Sequence, residues 1–110
     1  MKKTLLIVGC GDIALRAVPL LQTHYRILGL YRNLDNADHL RLNGIIPIYG
    51  NLDLPRSLEK LAGIAQLVLH LAPPPSQGLY DRRTTHLLSA LTRRTKKHTL
   101  ILPQRLIYIS

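Results

Sequence analysis

The chain has 110 residues, enough for one small domain, and its 46% hydrophobic and 19% charged residues make it globular and not disordered. A single cysteine excludes an internal disulfide and a cysteine-based zinc site, and with no Phe or Trp a stacking platform for single-stranded nucleic acid is not expected. Fifteen basic against six acidic residues leave +9, which favours phosphate-bearing or polyanionic partners, although a solvated basic surface is the simpler account.

Leu5-Leu6-Ile7-Val8 is a continuous apolar run, as for a strand buried on both faces of a parallel sheet. Lys2 and Lys3 before it and Gly9-Cys10 after it give it the look of a bacterial lipoprotein signal. Its apolar core is far shorter than the ~7–15 residues of a secretory segment, and no run reaches the ~20 that span a bilayer. A cytoplasmic chain with a free thiol is therefore expected. Ile13, Ala14, Ala17, Val18, Leu20 and Leu21 follow helical spacing, with Pro19 expected to kink the second half. Tyr25 to Tyr31 reads as a second strand. Asn33 is placed to cap the next helix, whose Leu34, Ala37, Leu40 and Arg41 share one side and whose C′ position falls on Gly44.

Ile45 to Tyr49 reads as a third strand, near a sheet edge because of Pro47. Pro55 fits the first turn of a short helix carrying Leu58 and Leu61 and ending at Gly63. Leu67 to Leu71 is a fourth strand. Pro73-Pro74-Pro75 predicts a stiff loop, Leu79 to about Lys97 a helix with Leu87, Leu88 and Leu91 inward, and Leu106 to Ile109 a fifth strand. The expected architecture is α/β: a Rossmann-like parallel sheet of about five strands, with right-handed crossovers and helices on both faces. The whole chain, residues 1–110, reads as a single domain. Because a buried-looking strand closes the sequence, a truncated doubly wound domain, the N-terminal part of a longer protein, is the expectation.

Gly9-Cys10-Gly11-Asp12-Ile13-Ala14 is a G-x-G-x-x-A sequence between a strand and a helix. The first glycine permits the tight turn, the second lets backbone amides approach a pyrophosphate, and the small third residue lets helix and strand pack closely. At the end of the second strand stands Arg32, where an NAD-selective site would place an acid. Arginine there holds a 2′-phosphate, and neighbouring Asn33 does not repel it, so NADP is expected over NAD. Gly50-Asn51-Leu52-Asp53 and His70-Leu71-Ala72-Pro73 follow the third and fourth strands, at the carboxyl edge where such sheets bind ligands. Asn51 is a candidate for the adenine edge, and Leu71 and Ala72 for the ribose floor. Each of these also reads as ordinary loop structure. The five histidines show no metal-ligand spacing, and no serine or cysteine has a nucleophile-elbow setting.

Taken together, Gly9-Cys10-Gly11-Asp12, Tyr31-Arg32, Gly50 to Pro55, His70 to Pro75 and Leu106 to Ser110 resemble the first half of an atypical extended short-chain dehydrogenase/reductase, of the broad NAD-dependent epimerase/dehydratase or nucleoside-diphosphate-sugar epimerase type. The resemblance covers the chain in the right order. It implies a Rossmann domain binding NAD(P), with Gly9, Gly11, Asp12 and Ile13 at the phosphate turn, Arg32 at the NADP-selecting place, and Leu71 and Ala72 beside the ribose. It also implies hydride-transfer chemistry that depends on a Tyr-x-x-x-Lys pair. Asn51 stands where the family usually has Asp. No tyrosine here has Lys four residues on: Gly29, Asp35, Asp53 and Thr84 follow Tyr25, Tyr31, Tyr49 and Tyr80 at that spacing. No catalytic residue is assigned, and the chain by itself is expected to be inactive and prone to self-association. Two other readings stay open, a non-catalytic dinucleotide-sensing module and a basic nucleic-acid binder. The last predicts binding that weakens steeply with salt.

Overall fold

The computed structural model describes residues 2–9, 11–71, 82–92 and 105–108, with the side chains of Asp12, Ile13, Arg105, Leu106 and Tyr108 outside that description. The elements run β1 (Lys3–Val8), α1 (Asp12–Leu21), β2 (Tyr25–Tyr31), α2 (Leu34–Leu42), β3 (Ile46–Tyr49), a 3-10 helix (Pro55–Leu61), β4 (Leu67–His70), α3 (Arg82–Leu91) and β5 (Arg105–Tyr108). Every strand pairing is parallel and the order across the sheet is β3-β2-β1-β4-β5.

The two-residue period of the strands sorts their side chains onto two faces. Leu6, Val8, Leu28, Leu30 and Val68 meet Leu58 and Leu61 of the 3-10 helix and Leu87, Ala90 and Leu91 of α3. Leu5, Ile7 and Ile27 meet Ala14 and Val18 of α1 and Leu40 of α2. This is why β1 reads as an unbroken apolar run: both of its faces are covered, and Leu6 and Ile7 are wholly buried. Each such side chain contributes about 1.5–3 kcal/mol relative to an exposed one.

Chain order explains the site's position. From β1 the chain steps outward through β2 to β3, then crosses to the far side of β1 to form β4. Register pairs Val8 with both Leu30 and His70, so the carboxyl ends of these strands lie at one edge of the sheet. The reversal between β1 and β4 makes a crevice there, the place where open parallel sheets bind ligands.

Local signals explain several boundaries. Gly44, at φ 76°, ends α2 in a Schellman motif: its N–H donates to the Arg41 carbonyl, and that of Ile45 donates to the Leu40 carbonyl. Leu40 and Ile45 are both buried beside it. Pro55 occupies the first turn of the 3-10 helix, where its missing N–H costs nothing, and Pro47 sits in the edge strand β3.

Other expectations need correction. Asn33 occupies the N-cap position of α2, but its side chain makes no capping hydrogen bond. Leu34, Leu20 and Leu88 are exposed, because the inward stripes are narrower than the spacing implied and Ala37, Val18 and Ala90 fill them. The helix through Pro19 continues to Leu21, with the proline on the exposed face. The third strand begins at Ile46, the fourth ends at His70, and the fifth begins at Arg105, one residue earlier than its pattern indicated. The triple-proline loop, residues 79–81 and the basic stretch 93–97 lie outside the described residues. Among the described residues, no helix is long and apolar enough to cross a membrane.

Candidate functional site

The turn after β1 begins at Gly9, whose φ of 93° is a left-handed conformation that only glycine adopts readily. The Gly11 N–H donates to the Gly9 carbonyl at 3.0 Å, and the Gly11 carbonyl accepts from Leu15 N–H, so α1 starts here. Gly11 itself is extended (φ −91°, ψ −166°), a conformation open to any residue, and among the described residues a Cβ built on it meets nothing within 4 Å. Neither the backbone nor the described neighbours call for glycine at 11. Its missing side chain leaves clear space before the first turn of α1, which carries no side-chain cap. First-turn amides lack intrahelical acceptors and present the positive end of the helix dipole. Ala14, one turn on, is buried between helix and strand as the small third residue of the pattern.

Arg32 and Asn33 follow β2, both exposed. Asn51 follows β3, half-buried; its Oδ1 accepts from Asp53 N–H at 2.9 Å, and its own N–H donates to Ser57 Oγ at 2.8 Å. The Asn51 carbonyl oxygen thus shapes its own loop. Leu52 is buried in the core beneath that loop and anchors it, so its contribution is to packing. Leu71, half-buried, prolongs the sheet beyond β4 by donating from N–H to the Val8 carbonyl at 2.7 Å. Gly9, Gly11, Arg32, Asn33, Asn51, Leu52 and Leu71 therefore gather along one edge of the sheet. Ala72 and the side chains of Asp12 and Ile13 lie outside the described residues.

Sequence reading missed a second set of side chains at the same edge. Asp53, in the loop after β3, accepts from Arg83 Nε at 3.1 Å and Nη2 at 3.2 Å, and Arg32 Nη1 approaches to 3.9 Å. The hydrogen bond from Arg83 holds the Asp53 carboxyl below its ordinary pKa; desolvation opposes this, while the charges of Arg83, Arg32 and His86 reinforce it. His86 Nδ1 lies in a short hydrogen bond with the Leu52 carbonyl, which only accepts, so Nδ1 carries the proton. His70 is buried at the end of β4 with Nε2 3.0 Å from Thr84 Oγ1.

No protein-family model matches the sequence, and no curated protein matches it. Solved structures do. The fold is similar to that of an NADPH-dependent quinone oxidoreductase of Escherichia coli (18% identity, TM-score 0.64), over 81% of this chain and 30% of that one. Triphenylmethane reductase of Citrobacter sp. complexed with NADP(H) matches with 19% identity and TM-score 0.64, over 81% of this chain and 33% of the reductase. The protein gox2253 matches 97% of this chain and 34% of its own length, with 18% identity and TM-score 0.69. The chain spans about a third of the length of the structures it matches, and the likeness establishes a Rossmann-like α/β fold.

Proposed function

We propose that this chain binds NADP(H) as the cofactor-holding part of an oxidoreductase, of the epimerase/dehydratase or reductase type within the extended short-chain dehydrogenases. The observation that carries the reading is Gly11: a glycine that neither its backbone nor its described neighbours require, at the switch point of a parallel sheet, with open space among the described residues before a helix N-terminus. A missing side chain at that place is what close approach of a pyrophosphate to the backbone amides calls for. Gly9 shapes the turn, the first amides of α1 face the phosphates, and Arg32 stands at the end of β2 where the adenosine ribose falls. Two of the similar folds support the cofactor, one named as NADPH-dependent and one complexed with NADP(H).

When bound, the dinucleotide supplies or accepts hydride at its nicotinamide ring. The residues of this chain bind and orient it, and none is assigned to proton transfer. Substrate recognition is not assigned either. A dinucleotide-sensing module without turnover is a second reading that rests on the same glycine turn. Titration of NADP⁺ and NAD⁺ into the wild type and Gly11→Val tests the binding function common to both. Both cofactors should bind the wild type and bind Gly11→Val much more weakly, while the far-UV spectrum and unfolding midpoint of the variant stay as in the wild type. Cofactor binding untouched by Gly11→Val would overturn the proposal.

A further inference from the structure

We propose that a notch at the amino edge of the sheet, at the far end of the strands from the candidate cofactor site, is a second ligand site, built for a small carboxylate with an apolar body. The notch has a topological cause. β2 begins at Tyr25, but its ladder with β3 runs only from Leu28↔Ile46 to Tyr31↔Tyr49. Residues 25–27 therefore have no strand beside them on the β3 side, where the chain is still leaving α2 through Gly44. The space left is an open cavity of about 370 Å³, within the ~300–1,000 Å³ of small-molecule pockets.

Its walls divide by chemistry. Tyr25, Ile27 and Ile46 supply an apolar side, and Ile46 is 41% exposed although it belongs to a strand. Lys2 and Arg26 supply two cations, and among the described residues no acid lines the cavity. Lys2 is anchored: its Nζ donates to the Gln22 carbonyl at 2.7 Å, which leaves two of its three protons to donate. Gln22 is fixed in turn, with Nε2 donating to the Asn43 carbonyl at 2.9 Å. Gly44 permits this, because a Cβ there would collide with Gln22 Nε2. Arg26 is exposed, and its guanidinium has neither a hydrogen bond nor an ion pair.

The chain's six acids leave this edge basic. α1, α2 and α3 begin at the carboxyl edge, and the sequence sets Asp12, Asp35 and Asp81 at or just before those starts, while Asp53 follows β3 there. The other two, Asp38 and Glu59, do not line the notch, and Asp38 pairs with Arg41. Met1, which adjoins Lys2 and lies outside the described residues, carries no side-chain acid. A carboxylate takes two parallel hydrogen bonds from a guanidinium fork and accepts from an ammonium as well. An apolar body attached to it covers the isoleucines. Free phosphate meets the same cations but leaves that side bare, and a neutral apolar molecule leaves the cations unused.

The test titrates hydrocinnamate, its neutral counterpart hydrocinnamyl alcohol and inorganic phosphate into the full isotope-labelled chain, read by backbone amide resonances. The proteins are the wild type, Arg26→Gln, Arg26→Lys and, as a control for net charge, Arg56→Gln on the 3-10 helix, each checked for folding by far-UV circular dichroism. Hydrocinnamate should shift the amides of Ile27, Gly44 and Ile46 saturably and leave that of Gly11 unmoved. The alcohol and phosphate should bind there about tenfold more weakly or worse. Arg26→Gln should weaken hydrocinnamate about tenfold, Arg26→Lys, which keeps the charge but loses the fork, several-fold, and Arg56→Gln not at all. No saturable shift in the notch below about 10 mM overturns the site. Equal binding of the alcohol makes it an apolar groove, equal binding of phosphate a patch of charge, and equal weakening by Arg56→Gln an effect of net charge; each overturns the proposal, as does binding untouched by both Arg26 variants. Should Arg26→Gln not fold, Arg26→Lys and the two comparison ligands decide. None of these outcomes touches the dinucleotide reading, which rests on the other edge of the sheet.

Discussion

Arg32 ends β2 with its guanidinium in water, beside the carboxylate of Asp53. A hydrogen bond between charged groups contributes about 1.5–3 kcal/mol, roughly ten- to a hundredfold in affinity. Arg32→Ala should therefore lower the ratio of NADP⁺ to NAD⁺ affinity by that factor, as read by parallel titrations. Equal affinities in the wild type would remove the case for selection by this residue. Asp53 makes a pH prediction of definite sign. Its folded-state pKa lies below the ordinary 3.8, so its pairing favours the folded loop above that value and is lost as pH falls through the lowered one. The carboxyl carbon resonance of Asp53 should stay flat through neutral pH and titrate with a midpoint below 3.8. A midpoint at or above that value would show that the pairing with Arg83 does not form in solution.

At the scale of elements, α3 links the core to the site. Its inner face buries Leu87, Ala90 and Leu91 against β1, β2 and β4, while its first two turns carry Arg83, Thr84 and His86 to Asp53, His70 and Leu52. Leu87 is fully buried, and Leu87→Ala should cost about 2–5 kcal/mol by urea unfolding, a large share of the ~5–15 kcal/mol of a typical domain. A cost under about 1 kcal/mol would mean that α3 does not pack on the sheet as described. α1 plays the matching part on the other face: Ala14 and Val18 bury against Leu5, Ile7 and Ile27, which sets the start of the helix against the glycine turn. Both helices therefore convert apolar burial into placement of polar groups at one edge.

The whole molecule is a parallel sheet with β3 at one edge and, among the described residues, β5 at the other. Ile46, Tyr49 and Leu54 near the β3 edge are exposed, as are Leu20, Leu34 and Leu42 on the helices and Ile107 on β5. Edge strands and exposed apolar side chains favour pairing with another chain. Sedimentation velocity should show concentration-dependent association of the isolated 110-residue chain. A single monomeric species across the accessible range would contradict it.

Burial on both faces of a parallel strand writes itself into Leu5-Leu6-Ile7-Val8 and Leu67-Val68-Leu69, and positive-φ turns write themselves as Gly9 and Gly44. Signals of this kind are local, so strand and helix alternation, the parallel sheet and the glycine turn were legible before any coordinates. The edge position of β3 was legible too, because Pro47 lacks a ladder donor. Contacts across thirty residues leave no such trace. Nothing in Gly50-Asn51-Leu52-Asp53 indicates that Asp53 meets Arg83, or that Leu52 is buried in the core; both follow from α3 lying over the loop after β3. Buried His70 and its hydrogen bond with Thr84 likewise depend on β4 pairing with β1 and on α3 packing above it. Residue order and side-chain size settled the elements, since those depend on near neighbours in the chain. Which polar groups meet at the carboxyl edge was decided only by the crossover from β3 to β4, because it brings distant segments within hydrogen-bonding reach.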